Sequence, residues 1–176
     1  MGTRTSVVGD ASKTGVLMLT LWLSRHGEAV DPDLAKSDFD RALTSAGRKR
    51  LAAQARWLLE REQPPELILH SPLVRARQTA EVIAGEIGLE SGLVRVENRL
   101  APGIQTEELL KCLASTTAER ILCVGHQPDM SRCLAEMIGG GHIHYSPGTM
   151  AEIEFGGPIL RSGGHLRWVV NPLWFT

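Results

Sequence analysis

Cysteine is scarce in this sequence, and neither sign of charge dominates. The 176 residues include three cysteines, Cys112, Cys123 and Cys133, which form no CxxC pair and are odd in number. This pattern argues against a disulfide framework and is typical of reduced thiols in a cytoplasmic protein. The 19 basic residues offset 20 acidic ones, so the positive excess of a nucleic-acid-binding protein is absent. We therefore expect partners that are small anions or protein surfaces.

The sequence also lacks an apolar run long enough to cross a membrane. Segment 16–23 is nearly all apolar and follows Lys13, like part of a signal peptide, but it is too short to span a bilayer and has no small-residue cleavage site. A buried first strand is the better interpretation. Residues 1–17 have no hydrophobic periodicity and are predicted to form a flexible leader, and residues 18–176 are predicted to form a single domain.

Strand-like and helix-like segments alternate along the remaining chain. Short apolar runs predict strands at 19–24, 66–70, 93–96 and 121–124. Amphipathic periodicity and end signals predict helices at 45–62, 71–87, 106–114 and from Pro128 to the glycines at 139–141. Ser71 is the expected N-cap of the second helix, which ends at Gly88.

Two later segments, 150–155 and 166–170, alternate like edge strands joined by a Gly- and Pro-rich turn. Together with the alternation of strands and helices before them, they define the expected architecture. The sequence predicts an α/β three-layer sandwich, in which helices flank a mostly parallel central sheet.

Histidines and arginines stand where three of the predicted strands end. Arg25 and His26 follow the first strand in 23–28 (LSRHGE), and His126 follows the fourth in 124–128 (VGHQP). Arg75 lies just after the second strand, in the sequence SPLVRARQTA that begins at residue 71. Because ligands collect outside the carboxyl ends of parallel strands, we expect these side chains to meet at one edge of the sheet.

Two histidines and two arginines at one edge are suited to phosphoryl transfer. A neutral imidazole can attack phosphorus and form a covalent phosphohistidine, and His26 is the predicted nucleophile. Arg25 and Arg75 are predicted to bind phosphoryl oxygens, with His126 as a protonated donor to another oxygen. Such catalysis rests on positioning and electrostatics, so no cofactor is expected.

Other residues near these motifs have weaker signals. Gly27 and Gln127 directly follow the two histidines and are predicted to contact the substrate. His142 and His144 have a spacing that could place two imidazoles on one strand face. No cluster of carboxylates or thiols accompanies them, so a metal site is not expected.

The three motifs, in this order, resemble the histidine phosphatase superfamily, also called the phosphoglycerate-mutase-like family, over residues 19–170. Segments 37–47 (SDFDRALTSAG) and 100–103 (LAPG), with the short chain, are similar to small bacterial phosphohistidine phosphatases of the SixA type. The resemblance implies a phosphoglycerate-mutase-like fold and a covalent intermediate on His26. It also implies a phosphorylated signalling protein as substrate, such as a histidine-phosphotransfer domain or phosphocarrier protein. Phosphoglycerate mutases usually carry longer insertions, for which this chain has no room.

The residue that protonates the leaving group is the least defined part of the predicted site. Many members of the family carry a glutamate after the third strand, and the stretch 96–103 here reads VENRLAPG. Glu97 is the candidate acid, although Arg99 competes for the matching position and Glu107 is an alternative. A phosphohistidine substrate needs this acid less than a monoester, because the pKa of an imidazolium leaving group is only about 6.5.

Three functions are consistent with the sequence. The first is a protein phosphohistidine phosphatase of bacterial signalling. The second is a phosphatase of small phosphomonoesters, which requires a working carboxylic acid and a closed pocket. The third is a non-catalytic phosphate-binding module, which the intact set of two histidines and two arginines disfavours.

Overall fold

The computed structural model describes residues 18–175 and contains one six-stranded sheet. Its strands are β1 (Leu19–Arg25), β2 (Leu67–His70), β3 (Val94–Val96), β4 (Arg120–Gly125), β5 (Met150–Phe155) and β6 (His165–Val170). The order across the sheet is β3-β2-β4-β1-β5-β6. The first four strands in this order are parallel, whereas β5 is antiparallel to both β1 and β6. The prediction of a mostly parallel central sheet is confirmed.

Four α-helices cover the two faces of this sheet. They are α1 (Ser45–Leu59), α2 (Val74–Ile87), α3 (Thr106–Ala114) and α4 (Asp129–Met137). Helices α1 and α2 pack together over one face, and α3 and α4 pack over the other. The three-layer α/β sandwich expected from the sequence is therefore the observed fold.

The alternation of side chains along β1 shows how one strand supplies both hydrophobic cores. Leu21 and Leu23 pack with residues of α3 and α4, whereas Trp22 packs with residues of α1 and α2. Adjacent residues of a strand face opposite sides of the sheet, and all three are at most 1% exposed. Burying each such side chain contributes about 1.5–3 kcal/mol, so β1 is fixed firmly beneath the loop that follows it.

Some element boundaries differ from the sequence prediction. Helix α2 begins at Val74 rather than Ser71, and Leu73 occupies the N-cap position without a side-chain cap. Gly88 ends this helix as predicted, with a φ of +70° that suits glycine. Strand β5 is an interior strand rather than an edge strand, because it pairs with β1 on one side and β6 on the other.

The carboxyl ends of β1, β2 and β4 lie side by side. The N–H of His26 donates to the carbonyl of Gly125 at 3.0 Å, and the N–H of Ser71 donates to the carbonyl of Val124 at 3.0 Å. These bonds continue the strand pairing by one residue, so the residues after β1 and β2 begin from fixed positions. The predicted leader at 1–17 lies outside the described residues. Within residues 18–175, no helix has both the length and the apolar character needed to cross a membrane.

Candidate active site

The structure brings the two histidines and Arg75 together at the carboxyl edge of the sheet. The ring centroids of His26 and His126 are 5.2 Å apart, and Nε of Arg75 donates to Nε2 of His26 at 3.2 Å. As whole residues, His26, His126 and Arg75 are 7%, 4% and 5% exposed. Their electrostatic interactions therefore act with little screening by water.

The hydrogen bonds of His26 define which nitrogen can act as nucleophile. Nδ1 lies 2.8 Å from the carbonyl oxygen of Gly27, and a carbonyl can only accept, so Nδ1 carries the proton. Nε2 then holds the lone pair, which accepts the bond from Arg75. Burial lowers the pKa of His26 to about 3. The hydrogen bond to Gly27 acts to raise this pKa, whereas the nearby positive charges lower it further. His26 is therefore neutral at pH 7, and Nε2 is the ring nitrogen whose lone pair can attack phosphorus.

The second histidine is held by a serine. Nε2 of His126 lies 2.7 Å from Oγ of Ser71, and the same Oγ accepts a bond from the N–H of Leu73 at 3.3 Å. The hydroxyl proton of Ser71 is then free for donation to Nε2, which leaves the proton of the neutral ring on Nδ1. That Nδ1 is buried and has no hydrogen-bond partner among the described residues, so it can donate to a phosphoryl oxygen.

His126 is neutral, in contrast to the protonated imidazole predicted from the sequence. Burial lowers its pKa to about 4, and the positive charges of Arg75 and Arg25 act in the same direction. Two neighbouring guanidinium groups make a third positive charge unfavourable. His126 nevertheless keeps one ring N–H, so it still supplies a hydrogen-bond donor.

Removing the hydroxyl of Ser71 tests this arrangement. In Ser71→Ala, Nε2 of His126 loses its partner, so the protonated nitrogen of the ring is no longer defined. We expect kcat/KM to fall about tenfold, which is the effect of losing roughly one hydrogen bond between neutral groups. The change in KM should be smaller than the change in kcat. Ser131→Ala, in the first turn of α4, is the matched control. Unchanged kcat/KM in Ser71→Ala would contradict the assignment.

The depressed pKa of His26 also predicts how stability depends on pH. The unfolded chain takes up a proton on this residue near pH 6.5, whereas the folded protein does so only near pH 3. Between pH 6.5 and pH 3 the unfolded state binds more protons, so the free energy of unfolding falls as the pH decreases. Its slope in this range is up to about 1.4 kcal/mol per pH unit. Above pH 6.5 His26 is neutral in both states and does not change the free energy of unfolding with pH.

Urea unfolding of the wild type and His26→Gln between pH 7 and pH 4 measures this contribution. The glutamine variant lacks the titrating group, so we expect the stability of the wild type relative to the variant to decrease as the pH falls. A difference that does not change with pH would show that His26 titrates alike in the folded and unfolded protein.

Arg25 completes the set of phosphate-binding candidates. One terminal nitrogen, Nη1, donates to the carbonyl of Tyr145 at 2.9 Å, which anchors the guanidinium. Its Nε is buried and has no hydrogen-bond partner among the described residues. Burial lowers the pKa of Arg25, with the charges of Arg75 and Arg41 adding to the effect. An anion bound here would satisfy the buried donor and relieve the repulsion between the arginines.

Comparison with known proteins shows the family to which the chain belongs. The sequence model of the histidine phosphatase superfamily (branch 1) matches residues 21–101 of the chain. This range includes Arg25, His26 and Arg75. The structure is similar to that of the protein histidine phosphatase SixA complexed with tungstate, with a TM-score of 0.78, 25% identity, and coverage of 90% of this chain and 100% of that one. The chain belongs to the histidine phosphatase superfamily. Membership of this superfamily supports the phosphatase activity expected from the sequence, without specifying the substrate.

Two curated relatives add sequence similarity to the structural match. An uncharacterized protein from the Picosynechococcus strain PCC 7002 is 38% identical over 166 residues, which cover 89% of this chain and 98% of that protein. Phosphohistidine phosphatase SixA from Escherichia coli K12 is 29% identical over 126 residues, which cover 69% of this chain and 76% of that protein.

In this histidine phosphatase superfamily member, Thr79 connects the loop of His26 to the helix of Arg75. Its Oγ1 accepts from the N–H of Gly27 at 3.0 Å and donates to the carbonyl of Arg75 at 2.7 Å. The sequence predicts Gly27 as a substrate contact, but its N–H is used by Thr79 and its carbonyl by His26. Gly27 therefore positions the nucleophile and does not offer its N–H to a phosphoryl group.

Gln127 is also used within the protein rather than directed to a substrate. Its side-chain amide donates to Oγ of Ser131 at 2.9 Å and accepts from the N–H of the same residue at 3.1 Å. These bonds satisfy polar groups in the first turn of α4, where backbone N–H groups have no partner within the helix. The prediction of Gln127 as a substrate contact is not supported.

Glu97 is unsuited to the role of general acid that the sequence predicts for it. Arg99 donates to both carboxylate oxygens, with Nε and Nη2 each at 2.8 Å. These bonds lower the pKa of Glu97 to about 2, although partial burial acts to raise it. Glu97 is therefore ionised at neutral pH and has no proton to donate. The alternative, Glu107, is in an ion pair with Arg161 at 2.6 Å.

Asp38 contacts the site and was not predicted from the sequence. Its backbone carbonyl accepts from Nη1 of Arg75 at 2.6 Å, and its Oδ2 accepts from Nη2 at 3.0 Å. Partial burial acts to raise the pKa of Asp38, but hydrogen bonds from Arg75 and Arg41 outweigh it and hold the pKa below its usual value. Like Glu97, this carboxylate is ionised at neutral pH.

Arg77 is not part of the site, although it lies two residues beyond Arg75 on α2. It forms an ion pair with Glu81 at 2.6 Å on the exposed surface of the helix. Among residues 18–175, no group of three or more His, Cys, Asp or Glu side chains is arranged to hold a metal ion.

Proposed function

We propose that this protein removes phosphoryl groups from phosphohistidine side chains of other proteins, through a covalent intermediate on His26. The observation that carries the proposal is a neutral, buried nucleophile, together with two carboxylates that arginines hold ionised: Asp38, which contacts Arg75, and Glu97, the acid predicted from the sequence. A site of this kind stabilises phosphoryl transfer but supplies no carboxylic proton. It is therefore suited to a leaving group that needs none.

The first step transfers the phosphoryl group between two imidazoles. Nε2 of His26 attacks phosphorus, and the bond between phosphorus and the substrate imidazole breaks. A substrate ring that is protonated on its other nitrogen departs as a neutral imidazole. Arg25, Arg75 and Nδ1 of His126 donate to the phosphoryl oxygens, whose charge they stabilise in the transition state.

The second step follows the same pattern. Phosphorylated His26 keeps its proton on Nδ1, bonded to the carbonyl of Gly27, so its ring is cationic and is itself a good leaving group. Water attacks phosphorus, the bond to Nε2 breaks, His26 returns to the neutral form, and the water protons leave with phosphate or solvent. Neither step requires a carboxylic acid of the protein.

A small phosphomonoester places a different demand on the site. Its leaving group is an alkoxide, which is far more basic than imidazole and requires protonation as the ester bond breaks. The similarity to proteins named as phosphohistidine phosphatase SixA supports the same choice of substrate. The class of partner we propose is a histidine-phosphotransfer domain or a phosphocarrier protein.

Parallel assays with the two substrate classes test the proposal. Phosphate release is measured from a histidine-phosphorylated phosphotransfer domain and from an alkyl phosphomonoester, glycerol 3-phosphate, with His26→Ala as the blank for both. We expect kcat/KM for the phosphohistidine protein to be at least about 100-fold higher, in line with the contribution of general acid catalysis. A higher value for the monoester, or no His26-dependent release from either substrate, would overturn the proposal.

A further inference from the structure

Every nitrogen of the Arg75 guanidinium donates to an acceptor of the protein. Nε donates to His26, and the two terminal nitrogens donate to the carbonyl and the carboxylate of Asp38. The guanidinium side chain is 6% exposed, whereas the Asp38 side chain is 61% exposed. The buried partner of this ion pair is thus fixed by a carboxylate that lies on the surface of the protein.

This arrangement conflicts with binding of a phosphoryl group. The lone pair on Nε2 of His26, which attacks phosphorus, accepts a hydrogen bond from Arg75. Arg75 also has to turn terminal N–H groups toward phosphoryl oxygens, although Asp38 accepts from both terminal nitrogens. A phosphoryl group and the Asp38 carboxylate are both anionic, so they compete for the same guanidinium and repel each other.

Asp38 has a second partner that can hold it after displacement. Its other carboxylate oxygen, Oδ1, accepts from Nη1 of Arg41 at 3.1 Å, and Nε of Arg41 is anchored on the carbonyl of Val30 at 2.9 Å. The carboxylate can therefore leave Arg75 without losing all of its charge-assisted hydrogen bonds. The exposed position of Asp38 also lowers the cost of this movement.

We propose that Asp38 is a positioning residue that holds Arg75 in a resting arrangement and competes with phosphate for it. Binding of the phosphoryl group displaces the carboxylate to Arg41, which frees Arg75 and the lone pair of His26. Return of the carboxylate assists release of inorganic phosphate after the second step. The inference concerns binding of phosphate itself and does not depend on which substrate supplies it.

Binding of inorganic phosphate, measured by isothermal titration calorimetry without turnover, tests the competition. Asp38→Asn keeps the backbone carbonyl and a side-chain oxygen but removes the competing charge. We expect the Kd for phosphate to decrease about three- to tenfold, a moderate effect because the carboxylate is largely exposed. Damage to the fold would weaken binding, so a gain in affinity separates this role from a structural one.

Asp40→Asn is the matched control. Asp40 lies in the same loop and carries the same charge, but its carboxylate accepts from Ser37. We expect its phosphate affinity to stay within about twofold of the wild type, as for a solvated charge at a distance. Unchanged or weaker binding in Asp38→Asn, or equal tightening in both variants, would overturn the proposal.

Discussion

Replacing His26 with alanine is expected to reduce phosphate release by at least about 10⁴-fold, whichever phosphorylated substrate is used. The substitution removes Nε2, the atom that carries the phosphoryl group between substrate and water. The arginines and His126 remain, but they stabilise a transfer that no longer has an acceptor. Initial rates of phosphate release under saturating substrate measure the effect. A substrate with a labelled phosphoryl group should also leave no label on the variant protein, because the phosphorylated intermediate cannot form.

The control for this variant is His165→Ala, on β6, where the imidazole is exposed. Its activity should match that of the wild type, which shows that loss of a histidine does not by itself impair turnover. The His26 assignment would be wrong if His26→Ala retained activity close to the wild type after correction for folded protein.

Replacing Arg75 with alanine is expected to lower kcat/KM by about 10²–10³-fold. A preorganised charge-assisted donor in a buried site contributes about 3 kcal/mol of transition-state stabilisation. Arg75 is well suited to this role, because its guanidinium is buried and lies in hydrogen-bond contact with the nucleophile. The loss should exceed that of Ser71→Ala, since the serine acts only through His126.

Arg77→Ala is a close control for this second variant. Arg77 lies on the same helix but is paired with Glu81 on the surface, and a surface ion pair contributes little to stability. We expect its kinetics to resemble those of the wild type. If both variants lost activity equally, the effect of Arg75→Ala would reflect the helix rather than the phosphate site, and unchanged kcat/KM in Arg75→Ala would remove it from the mechanism.

The meeting of Arg25, His26, Arg75 and His126 was predictable from the sequence because it depends on few assumptions. Each residue lies at the end of a strand, just beyond it, or in the first turn of the helix that follows, and parallel strands place these positions at one edge. The exact strand order was not needed. The interior position of β5, in contrast, depends on pairing between strands distant in sequence, and alternation alone does not predict it.

The contacts that tune the site were harder to predict. Ser71 reads as a helix cap, but its hydroxyl lies within hydrogen-bond distance of His126. Thr79 accepts a hydrogen bond from Gly27, which lies 52 residues earlier in the chain. Asp38 reaches Arg75 across 37 residues through a loop without regular structure. Such contacts depend on loop conformation, which hydrophobic periodicity does not determine.

Protonation states are likewise a property of the folded site. The family resemblance suggested Glu97 as an acid, but Arg99, two residues further along the chain, holds it ionised. The sequence suggested a protonated His126, but burial and two arginines keep it neutral. In both residues the charge follows from distances and burial that only the folded chain defines.

The most direct test of the mechanism is to trap the phosphorylated protein and identify the modified atom. The enzyme is mixed with a phosphohistidine protein, quenched in alkali, and examined by mass spectrometry and by NMR of the phosphorylated imidazole. We expect one phosphoryl group on Nε2 of His26, because Nδ1 is bonded to the carbonyl of Gly27. Phosphorylation of Nδ1 or of another residue, or turnover without a phosphorylated protein, would contradict this mechanism.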